Sequence, residues 1–162
     1  MYEAAQDLTA KAGYEHYEIS NYARPGYRSR HNTLYWTMEE YYGAGAGAHS
    51  YLKMDGPLRF SNVLDPAAYV QRMSQTRDPV LKREFLSKKT LLSEAMMLGL
   101  RMADGMDIQR FRQTYAEDPV QFFSACLKRG IQNHWIEVTE ERIRLTASGV
   151  LFSNEVFVDL FG

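Results

Sequence analysis

Residues 43 to 48 read Gly43-Ala44-Gly45-Ala46-Gly47-Ala48, a run in which no side chain exceeds a methyl group. Such a run adds little to a hydrophobic core. Its use is to let a ligand or another strand come close to the main chain. The run formally satisfies G-x-G-x-x-A at Gly43, Gly45 and Ala48. A dinucleotide fingerprint, however, needs a strand before it and a helix after it. Here His49-Ser50-Tyr51-Leu52 follows as extended chain, so dinucleotide binding is set aside. A few residues upstream, His31-Asn32-Thr33-Leu34-Tyr35-Trp36 sets an imidazole beside two large aromatics. The two features together suggest one wall of a pocket for a flat, metal-bearing ligand. Only about 30 residues stand before them, so the chain reads as the tail of a longer protein.

Composition narrows the class. Of 162 residues, 45% are hydrophobic and 13% aromatic, enough for a packed core. The net charge of -1 gives no electrostatic case for nucleic acid or an anionic membrane. The single cysteine, Cys126, can form no internal disulfide, and alone it holds neither a structural zinc nor an iron–sulfur cluster. Its neighbours Phe122, Phe123 and Leu127 mark it as a core thiol rather than a nucleophile. No apolar run approaches the roughly 20 residues of a membrane span, and the N-terminus lacks the pattern of a signal peptide. A cytoplasmic protein is expected.

The spacing of apolar residues predicts a helix over 2–12 stopped by Gly13. A strand follows over 14–20, with Tyr17 and Ile19 on one side and His16 and Glu18 on the other. Pro25-Gly26 marks a turn, and a short helix is expected near 31–38. Asp55-Gly56-Pro57 is a second turn, and 58–63 returns as a strand. Asp65-Pro66 starts a helix over 66–75. Nine of the eleven tyrosines precede residue 52, a shift that supports a boundary near 80. Beyond it, Leu91, Ala95, Leu98 and Met102 describe a long amphipathic helix ending near Gly105. Asp107 begins a second helix, to about 117. Asp118-Pro119 begins a third, which buries Phe122, Phe123, Cys126 and Leu127 and ends near Gly130. Ile136 to Leu145 alternates as a hairpin, and a last helix covers 147–160. The expected fold is α+β, with residues 64–79 linking residues 1–63 to a winged-helix-like domain over 80–162.

A winged helix raises DNA binding, but residues 80–162 carry 11 Lys+Arg against 11 Asp+Glu. The candidate recognition helix has only Lys128 and Arg129, at its end, whereas a duplex-binding face needs several phosphate contacts. A packing role fits better. His31 is either a ligand to heme iron or another metal, or a hydrogen-bonded histidine at a helix start. His16 and His49 join it only if the fold brings them there. The tyrosine-rich segment serves either stacking on a planar ligand or ordinary sheet packing.

Residues 13–23, the Pro25-Gly26-Tyr27 turn, Arg30-His31-Asn32 through Tyr35-Trp36, and Tyr42-Gly43 through His49-Ser50 closely resemble the heme-chaperone (HemW) branch of the oxygen-independent coproporphyrinogen III oxidase-like radical SAM family. Gly99-Leu100-Arg101, Ile143-Arg144-Leu145-Thr146 and the 151–157 segment resemble that family's C-terminal domain. The H-N-x-x-Y-W element marks the chaperone branch rather than the oxidases. The resemblance implies that residues 1–63 are the remnant of a radical SAM partial (β/α) barrel. It makes His31 the candidate heme contact, with Tyr35 and Trp36 beside it and heme iron as its tentative metal. Gly43, Gly45, Gly47, Ala48 and His49 would wall the cofactor and substrate pocket. The parent would use a [4Fe–4S] cluster and S-adenosyl-L-methionine and would bind heme or porphyrin. The cluster motif C-x-x-x-C-x-x-C is absent from these 162 residues, so the chain alone is expected to be catalytically inactive. The rival expectation is a fragment of an oxygen-independent coproporphyrinogen III dehydrogenase. A barrel lacking its N-terminal portion would also expose strand edges, so self-association through residues 1–63 is expected.

Overall fold

The computed structural model describes residues 2–53 and 56–162. The expected turn at Asp55-Gly56-Pro57 therefore lies partly outside the described residues. Helix α1 (Tyr2–Lys11) runs to Gly13, whose φ of +79° is the left-handed geometry that ends a helix without strain in glycine. Strands β1 (Glu15–Glu18) and β2 (Asn21–Ala23) pair antiparallel. The predicted alternation fails here. An irregularity between His16 and Glu18 turns two successive residues inward, leaving Tyr17 2% and Glu18 0% exposed. After the turn at Gly26, α2 (Arg30–Trp36) starts on Ser29, whose hydroxyl accepts from the Asn32 amide.

Next come β3 (His49–Leu52), β4 (Leu58–Asn62), α3 (Pro66–Gln75) and β5 (Val80–Phe85). The three strands form one antiparallel sheet in the order β3-β4-β5. Asp65 caps α3 from one residue before Pro66, as expected. Strand β5 is a correction, because the sequence placed a boundary there. Its charged middle, Lys82-Arg83-Glu84, suits an edge that pairs on one side.

The rest of the chain is α4 (Lys88–Arg101), β6 (Met106–Asp107), α5 (Ile108–Tyr115), α6 (Pro119–Phe122), α7 (Ser124–Gln132), β7 (Ile136–Val138), β8 (Arg142–Leu145), α8 (Ala147–Leu151) and α9 (Ser153–Phe161). The hairpin β7–β8 is present, with β6 added as a third strand in the order β6-β8-β7. The helix expected from residue 119 breaks at Phe123. Phe122 is left 40% exposed, against expectation, while Phe123, Cys126 and Leu127 are buried. The last helix breaks at Phe152, whose ring stacks on Trp135 at 5.3 Å. Leu92, Met96, Leu100, Ile108, Ile143 and Val156 are almost wholly removed from water. Each such side chain contributes about 1.5–3 kcal/mol relative to exposure.

Two compact units result: Met1–Thr37 with Leu92–Gly162, and Met38–Leu91. This differs from the expected divisions at 63 and 80, and backbone pairing is the reason. The Ile19 amide donates to the Arg101 carbonyl at 3.0 Å, and the Ala103 amide to the Tyr17 carbonyl at 3.0 Å, so the N-terminal hairpin joins the end of α4. Strand β5 pairs with β4 and so belongs to the inner unit. Every strand pair among the described residues is antiparallel, so the parallel pairing of a (β/α) barrel remnant does not occur among them.

Candidate functional site

Helix α2 carries the first group of expected site residues. Positions four apart share a helix face, and His31 and Tyr35 use that spacing. The Tyr35 hydroxyl lies 3.0 Å from His31 Nε2, and the rings meet edge to face at 4.9 Å. His31 is exposed. Trp36 is five residues on, about 140° round the helix from His31. The structure therefore joins His31 to Tyr35 and puts Trp36 on another side. One face of the Trp36 ring is covered by the guanidinium of Arg101, whose carbon stands 4.3 Å from the ring centre.

Arg101 leads to a residue that the sequence placed on the wrong side. The Glu18 carboxylate, fully buried, takes the Ser20 amide at 3.1 Å, the Asn21 side-chain amide, and Arg101 Nη2 at 3.5 Å. A buried carboxylate is tolerable only with such partners. Trp36 Nε1 and Arg101 Nε are buried and have no acceptor among the described residues. No periodicity signals Glu18, since a charge on a strand ordinarily means solvent. Arg101 is hinted at by the Gly99-Leu100-Arg101 resemblance and by its place in the last turn of a helix, where a cation meets the dipole favourably.

The other histidines do not join His31 in one metal site among the described residues. His16 has Tyr2, Gln6 and the Ile19 carbonyl within hydrogen-bond range of its ring nitrogens, and it stacks on Tyr22 at 4.8 Å. His49 is exposed at the start of β3, in the inner unit. No group of three His, Cys, Asp or Glu among the described residues could hold a metal.

Gly43, Gly45, Gly47 and Ala48 also lie in the inner unit, and their backbone is engaged there. The Gly43 amide donates to Ser50 Oγ at 2.9 Å, the Gly45 amide to the Tyr69 hydroxyl at 3.2 Å, and the Gly47 amide to the Val63 carbonyl at 2.8 Å. Asn62, buried at the end of β4, donates its side-chain amide to the Gly45 carbonyl at 2.9 Å and its main-chain amide to Ala48 at 2.9 Å. Of the two uses left open for this tract, close approach to another strand is present in the structure. A Cβ on Gly43 would collide with the His49 carbonyl oxygen and lie 3.0 Å from Ala48 Cβ.

Cys126 is buried, and burial, reinforced by Asp159, pushes its thiol up to about 11. Burial and the raised thiol both disfavour the thiolate that ligation or attack requires. An apolar groove of about 330 Å³, lined by Val120, Leu127, Ile131 and Val138 among others, contains none of the expected site residues. No described helix is long and apolar enough to cross a membrane.

Comparison with known proteins agrees with the resemblance. Residues 86–152 match the HemN C-terminal domain. Heme chaperone HemW of Lactococcus lactis is 36% identical over 157 residues, covering 97% of this chain and 40% of that protein. Heme chaperone HemW of Bacillus subtilis is 34% identical over 162 residues, covering 100% and 42%. The solved structure of Escherichia coli coproporphyrinogen III oxidase (HemN), described as a radical SAM enzyme, superposes with a TM-score of 0.74 over 98% of this chain and 39% of that one. At 15% identity that likeness speaks for the fold. The chain spans about two fifths of the length of these relatives. It carries a HemN C-terminal domain and belongs, along its whole length, with the HemW-like proteins.

Proposed function

We propose that the parent of this chain binds and transfers heme, and that His31 is where this part of it meets the heme iron. The observation that carries the proposal is the His31–Tyr35 pair on α2. Neutral imidazole is a common metal ligand, and a ligating histidine ordinarily donates its other ring N–H to a fixed partner. Tyr35 supplies that partner at Nε2, which leaves Nδ1 for iron. Heme is cargo here. Tyr35 stands as its further contact by the same proposal. Hemin titrated into the chain is expected to shift the Soret band. His31→Ala should abolish most of the shift, and Tyr35→Phe should weaken binding about tenfold, as removing such a partner does at metal sites. Identical titrations for the parent chain and His31→Ala would remove His31 from the site.

The parent's [4Fe–4S] cluster and S-adenosyl-L-methionine belong to the same proposal, but the residues present do not fit the cluster. The single cysteine is buried in the core, and no step by this chain runs through that group. The two expected edges are partly covered. β1 pairs with β2 on one side and with residues 101–103 on the other, and Tyr41 bridges Tyr51 beside β3. In place of self-association through residues 1–63, we propose a different edge, β5, which pairs only with β4 among the described residues and exposes Leu81 and Phe85. Light scattering should find dimers or larger species at high concentration, dispersed by Leu81→Lys with Phe85→Lys. A monomer throughout would end the proposal. Helices α5 to α7 with β7–β8 form, on this proposal, a winged-helix-like packing domain.

A further inference from the structure

Helix α2 has seven residues, and none of them is buried. A helix of two turns does not hold its shape in water, so contacts outside its own ladder must fix it. At its start, Ser29 caps it and donates its own amide to the Tyr17 hydroxyl at a long 3.4 Å. At its end the contact is broad and flat, with the Arg101 guanidinium lying over the Trp36 ring at 4.3 Å. Arg101 is itself not free to swing. Its Nη2 stands 3.5 Å from both the buried Glu18 carboxylate and the Ser20 hydroxyl.

We infer that Arg101, braced by Glu18, is a positioning residue. By clamping Trp36 it sets the rotation of α2 about its axis, and with it the side from which His31 is offered to heme. The inference rests on the heme role proposed for His31. Its geometry is that of a short helix held on one side. With Trp36 against the guanidinium, His31 and Tyr35, turned away by more than a right angle, stay on the exposed side. Two buried donors of the clamp, Trp36 Nε1 and Arg101 Nε, find no acceptor among the described residues. Stacking and charge hold the clamp, so the planar shape of the cation matters. Lysine, a compact and strongly hydrated charge, does not reproduce it.

The test uses the chain with Trp135→Phe, which leaves Trp36 as the sole indole. Arg101→Lys in this background keeps the positive charge beside Glu18. It is expected to raise acrylamide quenching of Trp36 about twofold and to weaken hemin binding about tenfold. Its Soret maximum should move toward that of His31→Ala. Glu18→Gln, which removes the brace and retains a polar side chain, should act in the same direction and serves if Arg101→Lys does not fold. His31→Ala should lose hemin binding with Trp36 quenching unchanged. Unchanged quenching in Arg101→Lys would mean that no clamp holds Trp36. Released Trp36 with unchanged hemin affinity, while His31→Ala still loses hemin, would overturn the positioning role and leave the heme role standing. Loss of neither affinity nor spectrum in His31→Ala would overturn the heme role, and the inference with it.

Discussion

Gly149→Ala is expected to destabilise the chain by about 3 kcal/mol or more, at the upper end of overpacking effects. Helix α8 passes so close to the main chain of Trp135 that a Cβ on Gly149 would overlap its carbonyl oxygen and sit 3.0 Å from its Cα. A backbone oxygen cannot turn aside as a side chain can. The Trp135 carbonyl also accepts the Thr146 amide at 2.9 Å, so moving it breaks the entry to α8 as well. For a chain of this size the loss corresponds to a fall in Tm of roughly 10 °C. Gly13→Ala is the control. Its φ of +79° strains any side chain, but nothing stands within 4 Å of the added Cβ, so it should cost only about 1 kcal/mol. Urea melts of the two variants check the ranking. Equal costs would show that α8 does not lie against Trp135 as described.

The second large effect is expected at Gly43. Gly43→Ala should cost about 2–3 kcal/mol, because the new methyl collides with the His49 carbonyl oxygen at the mouth of the β3–β4 pair. Hydrogen exchange should show loss of protection at the amides of Gly47 and Asn62, which donate to Val63 and Ala48 across this junction. The variant separates two uses of the tract. A ligand-facing tract would lose ligand and keep its stability. A tract serving strand approach would lose stability first, and that is the expected order.

Where structure follows from chemistry within a few residues, it was legible from the sequence. Asp65, Asp107 and Asp118 each cap the helix that begins next to them, and the Pro25-Gly26 turn and the hairpin β7–β8 lie where composition put them. The His31–Tyr35 contact is a four-residue spacing and could be read directly. Glu18 was misplaced because its partner Arg101 is 83 residues away, and nothing local distinguishes a braced carboxylate from a solvated one. The same distance hid the two-unit division. A helical period runs unbroken through Phe123 and Phe152, so the breaks there depend on packing, such as the stack of Phe152 on Trp135, that no period encodes. Trp36 fell beside His31 in the sequence but on a different side in space, because five residues make more than one turn. The glycine-alanine tract announced close approach without naming what approaches. Its partner, the end of β4, is set by pairing.

Among the described residues, residues 101–103 close the outer side of β1, and they leave the ribosome long after the strand does. At about 5–20 residues per second, the 83 residues between Glu18 and Arg101 take roughly 4–16 s to emerge. Throughout that interval the Glu18 carboxylate lacks the Arg101 guanidinium, and the edge of the first hairpin lacks residues 101–103. The inner unit, Met38–Leu91, is complete in sequence before the outer one can close. Nascent chains stalled so that residue 91 has just left the exit tunnel should therefore present a finished inner sheet and a strand still open, the species on which a holdase chaperone would act.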